Sequence, residues 1–558
     1  MKIRILLFLI ILSVSIFLWS KNLNPFSDRM FSFHDITQFA RVSEFTYALQ
    51  TFQIPPRMAP HFSYNLGYPV FNFYAPFSYW ITSLIHLTGF DVASSIKFSF
   101  LLSLILAFIF MYKFLKLFFH FHSSLLGAAL YSFSPYFAVE IFVRGSLGES
   151  WFLTLLPLAF YLIYRNSRSH SVILFIITAF TLSFTLTSHN ALSLLFLIPL
   201  FFYIFTLSNI KKNLFVLFSA LLLSSYFLLP FLTEMSLTYA KEVAKLTVYN
   251  QHFLCWNQLW YSPWGYAGSA PGCNGDGMSF MIGKTQIIAG FLGILLFFYN
   301  LIRKKQNYYF KIFFFIFLLG LGSIFLSTYS STAVWEILKP FFSILQFPWR
   351  FLVFGIFAVS FFGAYVIQSK SFFIKVLTFV LIITAIFYNA KFFTKTDLKK
   401  EEINKSLLSE IYIQQAAYNI PEYLPKTASR EEWLKFSPEK NNFSSLLNQK
   451  FIQANDNQKV TVMKDHDYIK SAKTSSSNLR LNIHYFPYWK IFINNVSYIP
   501  KEFDRLGRPI IKSDKNEKTI LLKYEQTPVE NLGNLLGIGA IGIFILLTLN
   551  RKLWKTMS

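Results

Sequence analysis

The feature that most constrains this chain is a series of apolar runs, each close to the roughly 20 residues a helix needs to cross a bilayer. They fall at 3–19, 95–115, 123–141, 150–164, 171–187, 190–208, 213–233, 285–302, 309–327, 350–368, 372–390 and 532–549. About twelve spans are therefore expected. With 54% hydrophobic and 14% charged residues and a mean hydropathy of +0.44, the chain reads as a polytopic membrane protein, not a large soluble core. The net charge of +24 raises nucleic acid as a partner. The Lys and Arg residues, however, sit at the ends of the runs or along one polar stretch, with no RNA-binding motif, so that class is set aside.

The N-terminus carries Lys2 and Arg4 before an apolar run from Ile5 to Trp19. No small-x-small site follows at Leu18-Trp19-Ser20-Lys21, so the expectation is an uncleaved first span. Segment 76–88 is short, contains Trp80 and His86, and is flanked by Pro76 and Gly89. Charge decides its role, because short basic loops stay in the cytoplasm. If 76–88 lies along the surface, the pairs Lys113/Lys116, Arg165/Arg168 and Lys211/Lys212 and the run Arg303-Lys304-Lys305 all fall on one side, with Lys370 and the tail Arg551-Lys552-Lys555. Both termini are then cytoplasmic in a multi-pass protein of the cell membrane.

Stretch 391–531 is polar throughout. Its first part, 397–418, has helical spacing, and its later part alternates at strand period over 459–463, 479–485, 490–494 and 519–524, with turns at Asn494-Asn495 and Gly507. The expected organisation is a transmembrane domain over 1–390, with outer loops 20–94 and 234–284. An extracytoplasmic α+β domain over 391–531 follows, then a final helix and cytoplasmic tail over 532–558. The fold class is a polytopic α-helical membrane protein with a small extracytoplasmic β-rich domain before the last span.

Ionisable residues near membrane depth persist mainly where they pair or line a cavity. On this topology they gather on the outer face. His34, Asp35 and Arg41 lie in the first loop, with Gln38 and Glu44 continuing the helical spacing. Arg144 and Glu149 bracket Gly145-Ser146-Leu147-Gly148. His189 sits between two spans, Glu234 follows a third, and Arg350 opens a fourth. Asp35 beside His34 is the candidate catalytic base, since a carboxylate in a partly dry cavity can take a proton from a hydroxyl. Ser32 or Asp35 capping a helix over 36–50 is the plainer alternative. Arg144 suits a phosphate oxygen. Glu149 suits an acceptor, a metal, or an ion pair with Arg144. Arg350, after Pro348 at a helix start, suits an anion or lipid headgroups. Trp256 and Trp264 in loop 235–284, with Tyr74, offer rings for sugar faces or for the membrane interface. Cys255 and Cys273 share that loop and can form a disulfide in an oxidising compartment. Asn274-Gly275-Asp276-Gly277 reads as a turn with at most a weak metal signal. The chain has no P-loop, no dinucleotide fingerprint, no zinc spacing and no Ser–His–Asp signature.

One span, a long outer loop with an early Asp, and a Tyr-Trp interfacial helix together resemble the GT-C superfamily of membrane glycosyltransferases. Several runs resemble the membrane family described as 6-pyruvoyl-tetrahydropterin synthase-related, a neighbour of the YfhO-like proteins. They are Leu66-Gly67-Tyr68-Pro69, Arg144-Gly145-Ser146-Leu147-Gly148-Glu149, His189-Asn190-Ala191 and Gln346-Phe347-Pro348-Trp349-Arg350-Phe351. Pro421-Glu422-Tyr423-Leu424-Pro425 and Tyr485-Phe486-Pro487-Tyr488-Trp489 extend the likeness into the polar domain. The resemblance implies a GT-C-like architecture with Asp35 and Glu149 as its acidic catalytic sites, and Gln38 where a histidine often stands. It implies a polyprenyl-phosphate-sugar donor whose phosphate is held by His34, Arg41, Arg144, His189 and Arg350, and a cell-envelope glycan, lipid or protein acceptor. A divalent Mg or Mn ion bridging Asp35 and Glu149 is an option. A lipid-linked saccharide transporter and a non-catalytic envelope scaffold are the rival readings.

Overall fold

The protein is described as a computed structural model. The structure describes residues 2–244, 248–303, 308–342, 345–366, 372–393, 398–417, 421–435, 449–456, 458–550 and 554. Lys304, Lys305, Lys370, Arg551, Lys552 and Lys555, on which the expected orientation partly rests, lie outside the described residues. So do residues 397 and 418 at the ends of the expected helical stretch and 367–368 at the end of one expected span.

Every expected apolar run is mainly helical among the described residues, with 123–141 broken at Phe133-Ser134 ahead of Pro135. Among the described residues, nine helices are long and apolar enough to cross a membrane, and three shorter apolar ones fall at Val172–Leu186, Asn190–Phe205 and Val376–Ala390. In chain order the main helices are α1 (Lys2–Leu23), α2 (Thr37–Gln50), α3 (Phe77–Leu87), α4 (Val92–Leu115), α5 (Phe121–Ser132), α6 (Pro135–Phe142), α7 (Leu147–Ser167), α8 (Val172–Leu186) and α9 (Asn190–Phe205). They continue with α10 (Ile210–Glu234), α11 (Lys284–Ile302), α12 (Phe310–Ser327), α13 (Leu352–Tyr365), α14 (Phe372–Ala390) and α15 (Pro528–Leu549). At 11 residues, α3 is too short to span, as expected for 76–88, and it packs on α2, α4 and α7.

Burial separates the helices into a centre and a periphery. Segments Phe121–Phe142 and Pro348–Tyr365 are wholly enclosed by protein and Leu147–Ser167 is 89% so, whereas α1 and α15 bury only 17% and 22% of theirs. A helix that is apolar all round belongs in such a centre. The enclosed helices are the ones whose ends carry Glu140, Arg144, Glu149 and Arg350.

Arg29–Met30 and Leu398–Lys399 pair as a small two-stranded sheet, and the described residues between 452 and 524 form nine strands: β1 (Ile452–Ala454), β2 (Val460–His466), β3 (Ile469–Thr474), β4 (Asn478–Leu481), β5 (Trp489–Ile493), β6 (Val496–Tyr498), β7 (Glu502–Phe503), β8 (Pro509–Lys512) and β9 (Lys518–Tyr524). These nine form two antiparallel sheets, ordered β1-β4-β8-β7 and β2-β3-β9-β5-β6. The β5–β6 hairpin closes through Asn494 and Asn495, both left-handed at φ 49° and 64°, with Ile493 opposite Val496. That is the residue choice a two-residue primed turn demands. The alternation expected over 479–485 stops at Leu481, because Asn482 turns away to bond Lys450 and Arg508.

The first loop lies between the helical bundle and the β domain. His484 N–H donates to Leu66 O (2.7 Å), Tyr64 N–H to Gln414 O (2.9 Å), and Tyr423 N–H to the Tyr68 hydroxyl (2.8 Å). A buried polar knot ties the last helix to this loop. Arg57 donates to Asn72, to Tyr226 O and to Asn534. Asn72 in turn donates to Glu234 and Glu530, and the Thr527 hydroxyl donates to Glu234. Glu234 therefore belongs to this knot and not to the expected cluster around Asp35. Buried carboxylates need such donors, and here loop, α10 and α15 supply them together.

Candidate functional site

The site begins with backbone. Residues 33–35 run beside 143–145: His34 N–H donates to Val143 O (2.9 Å) and Asp35 N–H to Arg144 O (3.1 Å). Gly145 has φ +65°, and a Cβ there would stand 2.0 Å from the Phe33 ring. Gly148 begins α7 against Ser188, where a Cβ would meet the carbonyl oxygen at 2.7 Å. The two glycines thus let three distant segments close on one another.

α2 begins without a side-chain cap. Its N-cap residue is Ile36, so neither Ser32 nor Asp35 caps it as the plainer alternative has it, and the Asp35 carboxylate turns to side chains. It accepts from the Thr37 hydroxyl, from Gln38 Nε2 (2.8 Å) and from Arg41 Nη1 (3.1 Å). Gln38 Oε1 accepts from the Tyr79 hydroxyl (2.6 Å), and the Arg41 guanidinium lies over the Tyr74 ring, 4.3 Å from its centre. The carboxylate is fixed in place by three donors and remains 28% exposed. A carboxylate so held presents a defined oxygen to whatever enters.

The Arg144 side chain leads from this backbone to a fully buried carboxylate. Glu149 Oε1 is 2.7 Å from Arg144 Nη1, 3.2 Å from Arg350 Nε and 3.3 Å from His189 Nε2. His189 Nδ1 accepts the Leu192 N–H (3.2 Å) at the start of α9, which leaves its proton on Nε2, facing Glu149. Arg144 also pairs with Glu140, and its guanidinium lies 4.6 Å from the Trp349 ring centre. Arg350 follows Pro348 in a 3-10 turn ahead of α13 and donates to Leu345 O (2.7 Å). One oxygen of each acid, Glu140 Oε1 and Glu149 Oε2, is buried with no partner.

Two groups complete the site that the sequence did not single out for it. Glu140, in an apolar run on α6, drew no notice as a partner of Arg144. Glu422, from the segment before the β domain, is near enough to feel Arg41, Asp35 and Arg350. Burial lifts its carboxyl above the usual range, against the pull of Arg41. Its run Pro421-Glu422-Tyr423-Leu424-Pro425 carries part of the family likeness but gives no hint of where the segment docks.

Other expected members lie elsewhere. His34 is exposed and its Nε2–H donates to Tyr266 O (2.8 Å), so its ring faces loop 235–284 and not the arginines. Trp256 is 52% exposed with its indole donating to Ser330, and Trp264 packs at a tilt against Phe392. Neither ring is brought to Asp35 or Arg350 by any described contact. That loop is closed covalently, because Cys255 and Cys273 are joined as a disulfide. Asp276 accepts from Gln258 and from Ala270 N–H, as a turn residue would. The donor set does not suit a bridging divalent ion. Asp35 is engaged by Arg41 and Glu149 by two arginines, and among the described residues no three His, Cys, Asp or Glu side chains come together as metal ligands.

An apolar groove of about 600 Å³ runs between α9 and α12. It extends along α9 from Leu195 to Phe205 and along α12 from Phe310 to Leu326, and it is walled at one end by Phe351 and Phe354. At 1.5 Å per residue the α12 wall is about 24 Å long, most of the hydrocarbon thickness. Phe351 is the residue next to Arg350.

No protein-family model matches the sequence, and no curated protein matches it. Among solved structures, the chain is similar to an oligosaccharyltransferase from Archaeoglobus fulgidus in the apo form, at 12% identity and a TM-score of 0.43, covering 69% of this chain. The archaeal oligosaccharyltransferase AglB from the same organism, in complex with an inhibitory peptide and a dolichol-phosphate, is similar at 12% identity and a TM-score of 0.44. This chain spans about 55% of the length of each.

Proposed function

We propose that the protein is a membrane glycosyltransferase that moves a sugar from a polyprenyl-phosphate donor to a cell-envelope glycan, lipid or protein acceptor, on the face of the membrane where the β domain lies. The observation that carries this reading is the apolar groove. It is long enough for an isoprenoid tail and ends at the residue beside Arg350, in a buried cluster that also holds Arg144. A lipid lying there has its headgroup at the guanidinium groups and its tail against Phe and Leu side chains.

In the reaction so proposed, Arg144 and Arg350 take the charge that develops on the departing phosphate, with Arg41 near by. Cationic stabilisation of this leaving group can replace a general acid. Asp35, held by Thr37, Gln38 and Arg41, accepts the proton of the acceptor hydroxyl. The hydroxyl oxygen bonds to the anomeric carbon as its bond to the phosphate oxygen breaks. The electron pair stays with the lipid phosphate, and the anomeric configuration inverts. Glu149 and His189 position the two arginines. Tyr74, under Arg41, is the ring nearest to an incoming sugar. No step is routed through a metal ion, because the carboxylates are already occupied by arginines. With the β domain on the extracytoplasmic side, both termini are cytoplasmic.

The test is transfer from a radiolabelled polyprenyl-phosphate sugar by the purified protein in lipid vesicles, with Asp35→Asn alongside. Transfer by the wild type, and its loss in a well-folded Asp35→Asn protein, is expected. Full activity of Asp35→Asn removes Asp35 from the mechanism. Flipping of lipid-linked saccharide across the vesicle without transfer replaces the enzyme with a transporter.

A further inference from the structure

A second cavity, of about 300 Å³, opens between the first loop and the β domain, away from the arginine cluster. Its size is at the small end for ligand sites, enough for a single pyranose ring. Its wall includes His61, Glu410, Asp465, Asp467, Lys470 and Trp489.

The charges do not balance. Lys470 pairs with Asp465 at 2.7 Å, and His61 Nδ1 pairs with Glu44 at 2.8 Å. Asp467 is left with the Tyr47 hydroxyl and a His61 nitrogen 4.0 Å away. Glu410 is left with the Gln414 amide at 2.9 Å. Asp467, half-buried, therefore faces the cavity with only weak cationic compensation, and the exposed Glu410 stands on the same wall. Trp489 is 3% exposed, lines the same cavity, and has an indole N–H with no partner. An indole donor buried without a partner is costly in a finished core and is satisfied by a ligand acceptor. Among the described residues no acidic or imidazole trio is placed to hold a metal ion, so the carboxylates are not a cation cage of that kind.

We propose that this cavity binds a sugar carrying a free amino group. Its ammonium would pair with Asp467 and Glu410, and a sugar hydroxyl oxygen would take the Trp489 N–H at the edge of the indole. Carboxylates satisfy an ammonium and adjacent hydroxyls together, whereas a neutral sugar leaves one carboxylate uncompensated. The cavity is also well placed to serve the reaction, and to that extent the inference rests on the proposed transferase. Glu44, which holds His61, is three residues beyond Arg41 on α2, a rise of about 4.5 Å. Tyr412, two residues from Glu410, is close enough to Asp35 and Arg41 for both charges to act on its buried hydroxyl. A glycan seated here as acceptor would reach toward Asp35 along one helix.

The experiment is equilibrium binding to the full-length protein in detergent, read by calorimetry or saturation-transfer NMR, with no donor present. The probes are glucosamine, N-acetylglucosamine, glucose and ethanolamine. Glucosamine is expected to bind at least tenfold more tightly than the other three. Asp467→Asn should erase that preference, and Trp489→Phe should weaken all sugars while leaving the preference for the amine. Equal binding of glucosamine and glucose, equal binding of ethanolamine and glucosamine, or unchanged binding in both variants overturns the proposal. Asp35→Asn should bind glucosamine as the wild type does. Loss of transfer in that variant with binding intact separates the failure of one reading from the failure of the other.

Discussion

Glu149 and Arg350 stand 201 positions apart in the chain and meet in a buried ion pair, Nε 3.2 Å from Oε1. Arg144 shares the same oxygen. Glu149 is the only carboxylate that touches both arginines among the described residues, so it holds α7 and the start of α13 in register and fixes where both cations point.

Removing that carboxylate leaves Arg144 with Glu140 alone and Arg350 with no carboxylate partner among the described residues. Glu149→Gln should therefore destabilise the protein by about 3 to 5 kcal/mol, the usual cost of stranding a buried charge. The double variant Glu149→Gln with Arg350→Met should recover part of the melting temperature and none of the transfer activity. Thermal unfolding in detergent, beside a transfer assay, measures both. A double variant no more stable than the single one would show that the pair is not coupled.

The glycine contacts give a second expectation. Gly148→Ala places a methyl 2.7 Å from a backbone oxygen that cannot swing away, whereas the obstacle to Gly145→Ala is a ring together with an unfavourable positive φ. Both variants should lose stability, and a second change, Phe33→Ala, should relieve part of the Gly145→Ala defect and none of the Gly148→Ala defect. Melting temperatures of the four proteins decide it.

Glu422 supplies a pH signature. Its carboxyl is raised in the folded protein, first by burial, so folding favours the protonated form. Such a group contributes stability that is complete below the unfolded value, near 4.5, and is lost as pH rises through the folded value. Glu422→Gln should therefore be more stable than the wild type at about pH 8, and the gap should close toward about pH 4. A gap that widens on acidification would mean that Arg41 outweighs burial.

Much of the architecture was legible because hydrophobic runs are long and local. Each expected span holds a helix, the hairpin at Asn494-Asn495 closes where the two asparagines stand, and the Arg144 to Glu149 run forms its ion pair across two glycines. What was not legible depends on tertiary docking. Nothing near Glu234 announces that it accepts from Asn72 and Thr527 instead of joining Asp35, because that assignment is made by where the first loop and the start of α15 dock. Short strands such as β7 and β8 carry too few residues to show a period. His34 sits beside the best candidate base in sequence, yet the chain bends at that point, so its ring bonds Tyr266 while Asp35 faces Arg41.

The groove makes the donor's tail testable apart from its chemistry. Leu318 lines it midway along α12 and is half exposed, so a larger side chain there fills the groove without touching the arginine cluster. Leu318→Trp should raise the KM for long-chain polyprenyl-phosphate donors about tenfold, equivalent to about 1.4 kcal/mol of lost tail contact. It should leave kcat near the wild-type value, because binding by the tail is the same in the ground state and the transition state. With a donor shortened to one or two isoprene units, which does not reach Leu318, the variant and the wild type should coincide. Steady-state kinetics with the two donor lengths reads the difference, and an equal loss with both would move the tail out of this groove.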